Sequence, residues 1–170
     1  QFTDLPYFLG INGEEVGYGT HMLAIGIENW ISSSGSVIDW VDNVLSQGGI
    51  AIPAHPAYFG WTLDSLRAAV DAGARGMEIH GDANTGPAAR EMWDTLLSEN
   101  RLVYGFMNDD AHSTGSIGRW GWNVVNAESL NKENVLKNLK EGNFYCVQSS
   151  PPGPGVGPQI DNIIVENENV

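Results

Sequence analysis

Short apolar runs alternate with stretches of helical period along this chain. That alternation constrains the fold more than any other feature. Runs at 21–28 (HMLAIGIE), 50–54, 76–79, 102–106, 122–125 and 144–147 read as strands. Between them, residues 37–47 put Val37, Trp40, Val41, Val44 and Leu45 on one face, and residues 63–72 do the same with Leu63, Leu66, Ala69 and Val70. Two further helices are expected at 87–99 and 132–141. Ser36, Thr62 and Asn131 stand where helix caps are needed, and Gly48, Gly73 and Gly142 where helices stop. A short strand should end near Ile11, and Gly17 and Gly19 make 16–20 a loop. Strand following helix at ordinary loop lengths predicts an α/β domain with a parallel sheet.

The strands end in chemistry. Residues 102–112 read LVYGFMNDDAH, an apolar run that opens abruptly into Asn108, Asp109, Asp110 and His112. His55 and His80 likewise follow strands, and His21 precedes one. In parallel α/β folds the C-terminal strand ends share one rim, so His55, Glu78, His80, Asp110 and His112 should converge. Glu14 or Glu15 could join them, and His21 too if its loop folds back. Imidazoles and carboxylates without thiolates suit zinc, manganese or iron. Glu78 lies among apolar residues and needs a partner; it is expected, with His80 and Asp109, to support ligands rather than bind metal. Arg119, in a Gly-rich loop, could pair with a substrate phosphate. Each residue also has an ordinary role open to it: Asp109 as a cap, Glu14 and Glu15 as a solvated pair, Arg119 as a loop charge. The glycines at 115, 118 and 121 lack the spacing of a phosphate-binding loop.

Composition narrows the partners. Eight Lys and Arg against twenty-one Asp and Glu give a formal charge of −13, which repels nucleic acid and anionic membranes. An anionic substrate stays compatible if bound cations invert the local field. One cysteine, Cys146, excludes an internal disulfide and a four-cysteine zinc site. There is no apolar run long enough to span a membrane and no signal-peptide pattern in residues 1–10, so a soluble protein, cytoplasmic or exported, is expected.

Taken together, these residues resemble the PHP superfamily, named for polymerase and histidinol phosphatase, and within it the stand-alone metal-dependent phosphoesterases. The resemblance runs over about residues 10–145. It rests on G-x-E at 13–15, the His of HMLAIGI, Ala-His-Pro at 54–56, D-x-H at 110–112 and the GNFYC ending at 142–146. It implies the C-terminal part of a distorted seven-stranded (β/α) TIM-like barrel with a metal cluster at one mouth. It further implies up to three cations in the complete protein. Glu15 would bridge two of them, His21 and His55 would complete the second, Asp110 would bind the first and His112 a third. Glu14 would point away. The family's opening H-x-H motif is absent here and is expected upstream of Gln1, which makes residues 1–148 an N-terminally incomplete metallohydrolase domain. Residues 149–170 are expected to form a Pro/Gly loop followed by an edge strand or tail. A partner copy covering an exposed sheet edge would give a homo-oligomer.

The implied activity is hydrolysis of a small phosphomonoester or phosphodiester by a metal-activated hydroxide, with Glu15, Asp110 and Arg119 as catalytic residues. Two other readings remain open on the sequence: a metal-dependent hydrolase of carboxylic or carbamic esters, and a degenerate, non-catalytic scaffold of the same kind.

Overall fold

The computed structural model of the chain describes residues 8–58, 60–79, 86–118, 120–148 and 160. Its elements follow in the order β1 (Gly13–Val16), β2 (Met22–Ile25), α1 (Val37–Ser46), β3 (Ile50–Pro53), α2 (Leu63–Asp71), β4 (Gly76–Glu78), α3 (Gly86–Ser98), β5 (Tyr104–Phe106), β6 (Gly121–Val125), α4 (Lys132–Glu141) and β7 (Phe144–Gln148). The helix starts have a local chemical cause. Ser36 and Thr62 each close a reciprocal cap, with Asp39 and Ser65 respectively, and Asn131 accepts the Asn134 N–H. Gly142, at φ +78, takes the left-handed turn that ends α4.

The sheets do not form the expected barrel. β1, β2 and β3 make one antiparallel sheet in that order, β4 and β5 a parallel pair, and β6 and β7 an antiparallel pair. The chain is therefore a small mixed α/β fold with four helices and three small sheets, and no closed barrel is present among the described residues. The difference has a physical source. β3 is buried at every position, which gives the continuous apolar run also expected of a parallel strand. Burial on both faces produces the same run whatever the strand direction. One face of β2–β3 carries Met22, Ala24 and Ala51 against Trp40, Val41, Val44, Leu66 and Ala69 of α1 and α2. The opposite face carries Ile50 and Ile52 against Phe106, Leu136 and Leu139.

β1 also departs from expectation. Residues 13–16 were expected outside any strand, because Gly-Glu-Glu-Val has no apolar run. They pair along their length with β2, Glu15 opposite Leu23 and Val16 opposite Met22. The expected Pro/Gly loop at 149–158 and edge strand at 160–165 lie outside the described residues, Ile160 excepted. No described helix is long and apolar enough to cross a membrane.

Candidate metal centre

Antiparallel pairing is what brings the first two histidines together. Met22 at the start of β2 lies opposite Pro53 at the end of β3. His21 and His55 therefore leave the same edge of the sheet, and the His21 carbonyl accepts the Ala54 N–H at 3.0 Å and the Trp61 indole N–H at 3.0 Å. β1 adds Glu15 next to them. Glu14, on the other face of β1, accepts the Ile31 N–H through Oε1 at 2.6 Å.

Three ligand atoms meet. Glu15 Oε1 lies 2.7 Å from His21 Nδ1 and 2.9 Å from His55 Nε2, and the two ring nitrogens are 3.3 Å apart. Each residue offers one donor atom, all within 4.8 Å of one another. Metal–nitrogen bonds of about 2.0–2.1 Å at a tetrahedral angle put neighbouring donors roughly 3.3 Å apart. The nitrogen pair already has that spacing, and the carboxylate oxygen would move out by roughly half an ångström. Two imidazoles and one carboxylate are one of the donor sets found in catalytic zinc sites, which keep a fourth position open. Glu15 is about one-third exposed and His55 about one-sixth, so the cluster is open to solvent on the carboxylate side.

His55 is held by its backbone as well as its ring. It sits at φ +28, in the left-handed region a non-glycine residue rarely adopts. Buried Glu78 accepts its N–H through Oε2 at 2.5 Å. The other oxygen of Glu78 accepts from Asn108 Nδ2 at 2.7 Å. Asn108 Oδ1 in turn accepts from Asn123 Nδ2 at 3.0 Å, and Asn123 clasps Met107 through both its N–H (2.9 Å) and its carbonyl (2.8 Å). A line of polar contacts thus runs from the β6–β7 sheet to the backbone N–H of a candidate ligand, His55. Burial raises the Glu78 carboxyl above the usual range, against the opposing pull of the Asn108 and His55 donors.

Asp110 and His112 line the same cleft as Glu15, His55 and Glu78, a space of about 290 Å³, but stand outside the three-atom cluster. Asp110 takes φ +48 and is 55 % exposed on its side chain; His112 is 83 % exposed. His112 Nδ1 lies 2.8 Å from the Asp110 carbonyl and 3.6 Å from its carboxylate. Both contacts favour the imidazolium, the carbonyl more, so the His112 pKa is raised. Asp109 faces away and organises the following loop, accepting from the N–H groups of Gly118, Trp120 (2.8 Å) and Gly121 (3.2 Å). Expected contributors His80 and Arg119 lie outside the described residues. Sequence reasoning missed the supporting part of Asn123 and the proximity of Tyr58 to His55. An Asn inside a half-buried strand was the available signal for Asn123, since such an amide needs partners.

No family model matches this chain, and no curated protein matches it.

Proposed function

We propose that this chain binds a divalent cation, zinc, manganese or iron, through Glu15, His21 and His55, and hydrolyses a small phosphoester in the adjoining cleft. The observation that carries the reading is the convergence of Glu15 Oε1, His21 Nδ1 and His55 Nε2 from three strands onto one point. A cation held by these three residues would supply Lewis acidity, polarising a phosphoryl oxygen and lowering the pKa of a bound water. The reaction consumes one water: a P–O bond to the leaving alcohol breaks, a P–O bond to the water oxygen forms, and one water proton ends on the leaving oxygen. Asp110 and His112, on the loop that follows β5, line the same cleft. The contacts of His112 with Asp110 favour its imidazolium, which when protonated would attract the phosphate in a chain that is otherwise strongly acidic. Glu78 keeps the His55 backbone in its strained turn, so the imidazole meets its partners without reorganising.

Metal content by elemental analysis and turnover of p-nitrophenyl phosphate and bis(p-nitrophenyl) phosphate test the reading, in wild type, Glu15→Gln and His55→Ala. The expected result is about one equivalent of cation and metal-dependent release of nitrophenol, both lost in His55→Ala. Absence of bound metal together with absence of metal-dependent turnover overturns it.

A further inference from the structure

β3 and β4 are in contact but share no hydrogen-bonded ladder. A cleft opens at each end of this pair. The one at their C-terminal ends is the space already described, lined by Glu15, Glu78 and Asp110 with two histidines. The one at their N-terminal ends has the opposite charge. It encloses about 290 Å³ and is lined by Arg75, just before β4, and Lys140, in the last turn of α4, over a floor of Leu45, Ile50 and Ala51. No carboxylate lines it.

The charge balance makes that pairing informative. Twenty-one acidic residues stand against eight basic ones, so carboxylate partners are plentiful. Arg67 takes Asp64 and Glu99, Arg101 takes Asp71 and Glu99, and Lys132 takes Glu28. Among the described residues Arg75 and Lys140 pair with none. Lys140 gives one proton to the Gly48 carbonyl at 2.5 Å, which steadies its ammonium beside the cleft and leaves two protons to donate. Arg75 keeps its whole guanidinium fork, the geometry that meets an oxyanion with two parallel bonds. We infer that this second cleft is an anion site that takes a phosphate group, free or on a small molecule with a short apolar body. Two cations brought from separate elements suit a doubly charged oxyanion better than a singly charged carboxylate. The site stands apart from the metal centre and does not rest on the phosphoesterase reading.

NMR titration of the metal-free protein at constant ionic strength tests it, with inorganic phosphate, propylphosphonate and acetate as probes. Phosphate should move the backbone amide signals of Gly49, Gly73 and Arg75 saturably, and acetate should bind more weakly. Tighter binding of propylphosphonate than of phosphate identifies a ligand with an apolar body; equal binding identifies phosphate itself. Arg75→Gln and Lys140→Gln, both at exposed side chains, should each weaken phosphate binding roughly tenfold. Shifts that do not saturate, acetate binding as tightly as phosphate, or unchanged affinity in both variants overturns the site.

Discussion

The Glu78 carboxylate accepts the His55 backbone N–H at 2.5 Å, linking residues 23 apart in sequence and holding the one member of the Glu15–His21–His55 cluster with left-handed backbone geometry. Glu78→Ala removes the acceptor for this N–H and for Asn108 Nδ2 together. Leaving buried donors unpaired costs about 2–4 kcal/mol in total. If His55 binds a cation, losing the group that holds its backbone should lower metal affinity, up to the about 10–100-fold seen when a ligand's supporting partner is removed. Urea unfolding of the metal-free variant checks the first figure, and competition against a fluorescent zinc chelator the second.

Burial raises the Glu78 pKa in the folded protein, so folding favours its protonated form. The stability this gives is fully present below the ordinary carboxylate pKa and is lost as pH rises through the raised folded value. Glu78→Gln cannot ionise. Metal-free wild type should therefore lose stability relative to Glu78→Gln as pH rises through that window, measured as paired urea midpoints. A difference that does not change with pH would count against an ionising Glu78.

Much of the helical framework was readable from single residues. Ser36, Thr62, Asn131 and Gly142 act locally, through bonds within three or four residues, and a local rule finds them. Strand direction was not readable, because Ile50 and Ile52 are buried on one face and Ala51 on the other in either orientation. β1 was missed because Glu14 and Glu15 disguise a strand whose alternation is decided by the Ile31 N–H on one side and two histidines on the other. The need of Glu78 for a partner was legible from its apolar neighbours. Its partner was not, since a backbone N–H leaves no trace in the sequence. The left-handed turns at His55 and Asp110 were equally silent, because neither position is a glycine.

His112 titrates above an ordinary exposed histidine. The Asp110 carbonyl is the main cause and the Asp110 carboxylate the next. In metal-free protein its NMR-detected midpoint should lie above the ordinary histidine value. Asp110→Asn should bring it part of the way down, because the carbonyl remains. A raised folded pKa means that its contribution to stability is full below the ordinary value and fades as pH rises through the raised one. An unchanged midpoint in Asp110→Asn would remove the carboxylate from the account.

Cys146 should be inert. Its thiol is half-buried, close to the Gly105 carbonyl at 3.0 Å and Asn123 Oδ1 at 3.2 Å, and burial pushes its pKa up to about 11. At pH 8 the thiolate fraction is then roughly one in a thousand, against about a quarter for a free cysteine. Iodoacetamide should label the native protein slowly and the urea-unfolded protein at the rate of a free thiol. Equal rates would mean that β7 opens readily and that the Asn123 contacts do not hold the strand.

Zinc should stabilise the fold through the three strands it joins. Glu15, His21 and His55 come from the ends of β1, β2 and β3, so unfolding any one of them destroys the ligand set. A ligand at a hundred times its Kd, bound only by the native state, adds about 2.7 kcal/mol. Excess zinc should therefore raise the melting temperature of the wild type by several degrees, and EDTA should reverse the shift. His55→Ala should show almost none of it. Asp110→Ala should keep most of it, because Asp110 lines the cleft without belonging to the cluster. If Asp110→Ala abolishes the shift and His55→Ala preserves it, the cation sits nearer the β5 end of the cleft and the β1–β3 edge is not its site.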